Sequence, residues 1–272
     1  MKRAAVITHG KPPTIGPALD RLERIAQTAG VELLLPEEEV AKHGGRRGSD
    51  LGTADIAVVL GGDGTMLRAL QRFVGTEIPV IGVNFGRVGF LASIAPDELE
   101  AGLARVFAGD YTVAPLTTLD VAANGARASA VNDVVALTAI RGRMVELSWR
   151  IEHEDLGVQP CDGMICATPS GSTAYNLSNG GPVLVRGLDA MAITFISPHS
   201  LDARPMVVPR GLELEIRNET PDVGVAVLVD GHDLAEVSGG ERILVRLGNR
   251  RALLGLLPEA TFFRRYRETF GN

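Results

Sequence analysis

The chain has 272 residues, of which 45% are hydrophobic and 22% charged, and its formal net charge is −6. This length allows one large domain or two ordinary ones, each with a substantial core. The acidic balance lacks the basic excess that favours wrapping a nucleic acid or lying on an anionic membrane, so local positive groups must meet any anionic ligand.

The number of cysteines and the length of the apolar runs indicate in which cellular compartment the protein resides. Cys161 and Cys166 are too few and wrongly spaced for a zinc site or a disulfide framework. No apolar run reaches the length of a membrane span, and the first predicted strand begins too early for a signal peptide to precede it. We therefore expect a soluble cytoplasmic protein without a membrane partner.

Short apolar runs alternate with helical patterns through the first hundred residues. After a strand over residues 4–8 we predict a loop and then a helix that Pro17 opens. An acidic, glycine-rich link is predicted over residues 37–52. Further strands are predicted at 31–35, 54–60 and 78–83, and a further helix at 96–107. This order predicts an open, mainly parallel α/β sheet.

A glycine-rich loop follows the strand at 54–60 directly. Its residues are Gly61, Gly62, Asp63, Gly64 and Thr65, and a helix is predicted over 65–73. Glycines let backbone N–H groups approach an anion, and the helix N-terminus adds a favourable dipole, so the loop offers a phosphate cradle and one acid or base. A purely geometric turn is the alternative. The loop matches neither a P-loop nor a complete dinucleotide fingerprint.

The pattern changes to strict alternation of apolar and polar residues near residue 115. Residues 145–151 and 212–216 show it most clearly, and turn signals occur at 124–125, 230–231 and 239–240. We predict an antiparallel β-sandwich, interrupted by one helix at 172–179. The expected domains are an α/β domain over 1–113, a β-sandwich domain over 114–255 and a C-terminal helix within 256–272 that packs on the first domain.

A dense polar run occupies residues 168–182, with five serine and threonine hydroxyls, one aromatic ring and two amides around a helix start. Such a run can bind a ribose, an adenine face and a phosphate, with Ser172 or Thr173 near the N-cap; an ordinary capped turn is the alternative. The glycine loop by itself resembles those of diacylglycerol kinases, sphingosine kinases, phosphofructokinases and NAD kinases. Together with Asn132 and Asp133, the loop and the run resemble the NAD kinase family in order and approximate spacing.

That resemblance implies a phosphofructokinase-like, diacylglycerol-kinase-like α/β domain joined to a β-sandwich. It further implies transfer of a phosphoryl group from ATP, or alternatively polyphosphate, to the adenosine ribose 2′-hydroxyl of NAD. The donor phosphates would carry Mg²⁺, since no dedicated metal-ligand cluster is visible. The expected assembly is a homodimer or homotetramer in which a neighbouring subunit completes the NAD pocket.

Individual roles follow from the matching motifs. Asp63 would take the proton from the acceptor hydroxyl, the loop glycines would meet the donor phosphates, and Asp162 would contact the nicotinamide side of NAD across a subunit boundary. Arg204 is a weaker candidate for the donor phosphates. The full set of expected ligand-contacting residues is Gly61, Gly62, Gly64, Thr65, Arg68, Phe90, Asn132, Asp133, Arg143, Asp162, Thr173, Ala174, Tyr175, Asn176, Leu177, Ser178 and His232.

Two other functions remain open from the sequence. A lipid or sphingoid-base kinase could use the same glycine loop, but it needs an apolar acceptor tunnel, whereas residues 168–182 are polar. A non-catalytic sensor of NAD or NADPH is the alternative from a different class. It has no need of a carboxylate such as Asp63 facing a nucleophilic hydroxyl.

Overall fold

The computed structural model describes residues 1–10, 12–43, 50–86 and 89–271. Contacts divide the chain into two compact units. Unit 1 comprises Met1–Pro115 and Ala252–Asn272, and unit 2 comprises Leu116–Arg251. No helix in the described ranges is both long and apolar enough to cross a membrane.

The strands, in chain order, are β1 Arg3–Thr8, β2 Glu32–Leu34, β3 Ile56–Gly61, β4 Val80–Asn84, β5 Thr112–Leu116, β6 Leu119–Ala123, β7 Ala126–Ala130, β8 Asp133–Thr138, β9 Val145–Ile151, β10 Glu154–Cys161, β11 Gly163–Ala167, β12 Ala190–Ile196, β13 Met206–Pro209, β14 Glu213–Asn218, β15 Val225–Val229, β16 His232–Val237, β17 Arg242–Leu247 and β18 Ala252–Leu256. The α-helices are α1 Pro12–Ala29, α2 Glu37–His43, α3 Asp63–Arg72, α4 Leu99–Phe107, α5 Tyr175–Ser178 and α6 Phe262–Phe270.

Sheet 1 belongs to unit 1 and has the order β2-β1-β3-β4-β18-β5. Strands β2, β1, β3, β4 and β18 pair in parallel. The three central strands are buried almost throughout, as expected for continuous apolar runs in a parallel sheet covered by helices on both faces. Their carboxyl ends, at Thr8, Gly61 and Asn84, meet at one edge of the sheet.

The strand order reverses beside β1. The chain passes from β1 to β2 on one side and then returns to β3 on the other. In open α/β sheets, ligands bind outside the carboxyl ends of the strands at such a switch point. The fold therefore places a candidate ligand site between the ends of β1 and β3, where the glycine loop begins.

Two predictions about the helices of unit 1 are wrong. Helix α1 begins at Pro12 and contains Pro17, because the earlier prolines already satisfy the preference for proline in a first turn. The predicted link contains α2, whose three first-turn glutamates and last-turn Lys42 and His43 suit the helix dipole. Residues 44–49 of that link lie outside the described residues.

Unit 2 consists of two six-stranded sheets in which all pairs are antiparallel. Sheet 2 has the order β10-β9-β14-β17-β6-β7, and sheet 3 has the order β13-β12-β11-β8-β15-β16. Residues of both sheets, among them Leu147 and Met164, form one buried core. The predictions of a mainly parallel α/β fold and an antiparallel β-sandwich are confirmed.

Candidate functional site

A cleft of 580 Å³ lies at the carboxyl edge of sheet 1. His9, which follows β1, and Gly61 and Gly62, at the end of β3, face each other across it. Gly64, Thr65, Arg68, Phe85, Gly86 and Ile15 complete its lining. The cleft therefore occupies the switch point of the sheet, and the glycine loop forms one wall.

The glycine loop turns directly into helix α3. Gly62 is the N-cap residue in an extended conformation, and its carbonyl accepts the N–H groups of Thr65 and Met66. No side chain caps this helix end. The first N–H groups of a helix have no intrahelical partner, and the helix dipole is positive there. The loop is thus built to receive an anion such as a phosphate group.

Asp63, the predicted catalytic residue, is the first residue of α3 and is half-buried. Its Oδ2 accepts the N–H of Phe90 at 2.7 Å, while Oδ1 accepts those of Leu91 at 3.2 Å and Ala92 at 3.5 Å. An ionised carboxylate offers about four acceptor sites. Three N–H donors leave Asp63 about one site with which to bind a hydroxyl.

Gly89 permits this close contact. A Cβ atom at position 89 would lie 2.4 Å from the Cγ and both carboxylate oxygens of Asp63, which is far inside van der Waals contact. The segment 89–92 therefore covers the carboxylate from one side and fixes it by backbone donors. These partners lie 26 to 29 residues from Asp63 in the sequence, so no local pattern could reveal them.

Arg68 lines the same cleft with an exposed side chain. Its Nη2 donates to the carbonyl of Thr8 at 2.9 Å. The buried carboxylate of Glu39 in turn accepts the Thr8 N–H at 3.1 Å and the Thr8 hydroxyl at 2.5 Å, and it pairs with Lys42. No local pattern in the sequence indicates this buried support for Thr8. It holds the end of β1 and, through it, one permanent positive charge beside the glycine loop.

Most of the other predicted residues gather at one edge of sheet 3, in unit 2. Strand β8 begins there at Asp133, and β11 and β15 end there. Register pairs Ala167 with Asp133 and Val229 with Val134. The Thr168 N–H donates to the Asn132 carbonyl at 2.8 Å, which joins the polar run to the Asn132–Asp133 pair.

Asp230 fixes this edge. It precedes Gly231 in the β15–β16 turn and has a left-handed backbone with φ of 49°. Its carboxylate accepts the N–H groups of Val131 and Asn132 at 2.7 Å and of Asp133 at 2.9 Å. Sequence analysis recognised the Asp-Gly turn but not this role of the side chain.

The Asn132–Asp133 pair presents two buried acceptors. Asn132 Oδ1 is buried and has no hydrogen-bond partner within the described part of the chain. Burial, and to a smaller extent the neighbouring Asp230 carboxylate, together raise the pKa of the Asp133 carboxyl to about 7. A buried orphan oxygen and a carboxyl that titrates near neutral pH are both suited to hydrogen-bond a ligand.

The polar run forms a 3₁₀ turn at Gly171–Thr173 followed by the single turn of α5. Ser172 and Thr173 lie near Ala174, the N-cap residue of α5, as predicted. No side chain caps either turn, because the Ser172 hydroxyl donates to the Pro169 carbonyl and accepts the Leu184 N–H. Thr173 donates to the Ser170 carbonyl. These hydroxyls shape the turn.

Within α5, the side chains divide into internal and accessible ones. Asn176 is fully buried, and its amide bonds Ser172, Pro182 and Thr194. Tyr175 is 41% exposed, and Ser178 is exposed as well. Ala174 and Leu177 are half-buried. Tyr175 thus offers the accessible aromatic face of this run.

Two predicted residues, Asp162 and Arg143, are placed apart from these clusters. Asp162 precedes β11, at the opposite end of that strand from Thr168, and its carbonyl accepts the Thr138 N–H. Arg143 lies beyond the end of β8 on the same side as Asp162 and pairs with Asp222 at 3.0 Å. The ring of Phe90 packs against helix α6.

His232 and Arg204 are both in unit 2. His232 is the first residue of β16, is exposed, and lies at the Asp133 edge of sheet 3. Arg204 is exposed in the loop before β13 and donates to the carbonyls of Leu201 and Ala203.

The described residues contain no group of three or more His, Cys, Asp or Glu side chains that could hold a metal ion. Cys161 and Cys166 are both buried free thiols, and burial raises the pKa of each to about 12. They are therefore core residues in the protonated form, without the thiolate character that metal binding requires.

A phosphate-binding α/β unit together with a β-sandwich that carries buried polar acceptors defines a class of nucleotide-binding enzymes. The family model for the ATP-NAD kinase N-terminal domain matches residues 37–111, and that for the ATP-NAD kinase C-terminal domain matches residues 131–254. The chain belongs to the NAD kinase family.

Individual relatives and solved structures agree with that assignment. The chain is 36% identical to the NAD kinase of Gemmatimonas aurantiaca, over 99% of this chain and 96% of the relative, and 38% identical to that of Heliobacterium modesticaldum, over 79% and 77%. The NAD kinase from Archaeoglobus fulgidus in complex with ATP is similar with a TM-score of 0.79 and 27% identity, over 99% and 97% of the two chains. Yeast NADH kinase complexed with NADH shares the fold, with a TM-score of 0.89 at 22% identity, over 100% and 88%.

Proposed function

We infer that this protein is an enzyme that transfers the terminal phosphoryl group of ATP to the 2′-hydroxyl of the adenosine ribose of NAD, giving NADP. One observation supports this reaction best: Asp63 stands at the start of α3 in a phosphate-binding loop, with about one acceptor site left for a hydroxyl. A loop that bound phosphate alone would not need this carboxylate.

Phosphoryl transfer passes through a loose transition state, so alignment of acceptor and donor and neutralisation of charge dominate catalysis. Asp63 accepts the hydrogen bond of the attacking hydroxyl and orients its oxygen toward the donor. The three loop glycines and Thr65 receive the donor phosphates on backbone N–H groups. Arg68 neutralises phosphate charge from the wall of the cleft.

The acceptor is held by residues of unit 2. Asn132 and Asp133 hydrogen-bond hydroxyls or the adenine of NAD, and Tyr175 stacks on its base or ribose. The other residues of 173–178 shape and line this surface, and His232 reaches the cofactor from the same edge of sheet 3. Phe90 belongs to the adenosine end of the site through the segment that covers Asp63.

Asp162 and Arg143 serve the NAD of a neighbouring subunit. Asp162 is separated from Thr168 by the five residues of β11, which is roughly 17 Å of strand. That separation supports a site shared between copies, in a homodimer or homotetramer. Small-molecule nucleotides are the partners of this enzyme, and nucleic acids and membranes are not.

Mg²⁺ fits this site as a companion of the donor. Both oxygens of Asp63 accept N–H groups, and the described residues offer no other acidic cluster. The phosphates therefore hold the ion, which supplies neutralising charge on the transferred group when it is bound. The two free thiols, Cys161 and Cys166, suit the reducing cytoplasm as the place of the reaction.

The test is incubation of the purified protein with NAD, ATP and Mg²⁺, followed by chromatography of the nucleotides. NADP with phosphate at the 2′ position is expected, and parallel reactions with polyphosphate and with NADH define the donor and acceptor range. Tight binding of NADPH without product would favour the sensor, and phosphorylation of a lipid alone would favour the lipid kinase. Either result would overturn the proposal.

A further inference from the structure

Helix α6 contacts the segment 89–92 at two points. Arg265 Nη2 donates to the carbonyl of Ala92 at 2.5 Å. The ring of Phe90 packs against the rings of Phe262 and Phe270, with centroids 6.0 Å and 5.7 Å away. The last helix of the chain is therefore attached to the short segment whose N–H groups hold Asp63.

Burial along α6 shows that the helix is not simply a cover for apolar surface. No residue of α6 is buried, and Phe263, Tyr266 and Phe270 remain 68%, 42% and 42% exposed. By contrast, the side chain of Arg265 is only 17% exposed, whereas that of the adjacent Arg264 is 54% exposed. One arginine of the helix is thus much less exposed than its neighbour, and that arginine bonds the segment over Asp63.

A displacement of the segment 89–92 must also move the carboxylate of Asp63. Phe90 and Ala92, the two residues that α6 contacts, both donate their N–H groups to Asp63. There is no room for even a Cβ atom between position 89 and Asp63, since such an atom would lie 2.4 Å from the carboxylate. The contacts from Arg265 to Asp63 therefore form a continuous chain through one residue, Ala92.

We propose that Arg265 is a positioning residue for Asp63 and that α6 holds the catalytic carboxylate in its reactive orientation through the segment 89–92. The inference rests on the proposed function, because it assigns Asp63 the acceptor hydroxyl. Arg265 itself touches no reacting atom. Its effect is confined to steps that need Asp63, so it acts on turnover and leaves substrate binding unchanged.

The first experiment compares Arg265→Ala with Arg267→Ala in the full chain. Arg267 is an exposed arginine on the same helix and is the matched control. Arg265→Ala should lower kcat about 10- to 100-fold, the cost of a misplaced catalytic group, with the KM values for NAD and ATP changed less than about twofold. Arg267→Ala should keep the wild-type kcat. Arg265→Lys, which restores one donor and the charge, should recover part of the loss.

The second experiment places Arg265→Ala in the Asp63→Asn background. If Arg265 acts through Asp63, the double variant should be no slower than Asp63→Asn alone. A purely structural role would lower kcat by the same factor in both backgrounds, and that result would overturn the proposal. An unchanged kcat for Arg265→Ala would overturn it as well.

Circular dichroism melting checks the fold of each variant. If Arg265→Ala does not fold, Phe90→Leu tests the second contact, with Phe263→Leu as its exposed control. The same loss of kcat and the same absence of effect beside Asp63→Asn are then expected for Phe90→Leu. Wild-type protein that forms no NADP would refute the proposed function, whereas active wild type with additive variants would refute the role of Arg265 alone.

Discussion

Asp63 combines two tasks that usually fall to different residues. It begins α3, the helix proposed to receive phosphate, and its carboxylate accepts the N–H groups of Phe90, Leu91 and Ala92. A carboxylate so occupied is well suited to orient a hydroxyl, which matters in a loose transition state where the acceptor proton leaves late. We therefore propose that Asp63 orients the hydroxyl rather than abstracting its proton early.

Asp63→Asn tests this residue directly. Both carboxylate oxygens accept N–H groups, so the amide of asparagine must direct its own N–H₂ toward one of these donors. We expect kcat to fall about 10²- to 10⁴-fold, the range for positioned acid and base groups, with smaller changes in KM. Steady-state assays of NADP formation measure this fall in kcat. Asp20→Asn is the control, because Asp20 is an exposed residue of α1. Near-wild-type kcat would remove Asp63 from the mechanism.

Asp133 links binding to stability through its raised pKa. Because the folded-state pKa of about 7 lies above the ordinary value of 3.8, the carboxyl favours folding while it is protonated, and this contribution is lost as the pH rises from 3.8 through 7. Asp133→Asn supplies a neutral side chain of nearly the same shape. At pH 8 it should raise the free energy of unfolding by up to about 4 kcal/mol, and at pH 5 by far less.

Thermal and urea unfolding of both proteins at pH 5 and pH 8 measure that difference. The same variant should bind NAD more weakly, because it changes an acceptor of the proposed site. A gain in stability with a loss of affinity is the signature of a group kept for function. Equal stabilisation at both pH values would show that the Asp133 carboxyl does not titrate near neutral pH.

At the scale of single elements, the β15–β16 turn organises the proposed acceptor site. Asp230 combines a left-handed backbone with a carboxylate that accepts three successive N–H groups from residues 131–133. Asparagine tolerates the same backbone but cannot accept at both side-chain positions. Asparagine at position 230 should thus keep the turn but weaken the hydrogen bonds to the N–H groups of Asn132 and Asp133.

Asp230→Asn should therefore raise the KM for NAD about tenfold while the KM for ATP stays near the wild-type value. The substitution is expected to cost about one to two kcal/mol of binding free energy at the proposed acceptor site only. Initial-rate assays with each substrate varied in turn separate the two constants. Asp233→Asn, an exposed carboxylate on the same hairpin, is the control. Equal increases in both KM values would mean that Asp230 supports the fold in general.

Elements with strong local patterns were predictable from the sequence, and long-range partners were not. The apolar runs of β1, β3 and β4 and the glycine loop after β3 are local signals, and all lie where predicted. Helix α2 was missed because glutamates and glycines suggested a link, although its charges follow the helix dipole. The bonds from residues 90–92 to Asp63 and from residues 131–133 to Asp230 depend on tertiary contacts that no periodicity encodes.

At the scale of the whole molecule, the proposed assembly depends on the two ends of β11. Asp162 precedes this strand, and the polar run from Thr168 follows it. Sharing of one NAD between copies gives each site Asp63 from one chain and Asp162 from another. In a symmetric dimer the two shared sites are equivalent, so variants of different chains can complement each other.

Co-expression of an Asp63→Asn chain with an Asp162→Ala chain tests that arrangement. In a mixed dimer one site carries both substitutions and the other carries neither, so random assembly of two-site dimers should restore about one quarter of wild-type activity. Each variant expressed alone should be nearly inactive at subsaturating NAD, and sedimentation analysis of the same samples should show dimers or tetramers. Differently tagged chains allow the mixed species to be isolated, in which about half of the wild-type activity per chain is expected. Activity no greater than the sum of the separate variants would show instead that each chain uses its own Asp162 or none.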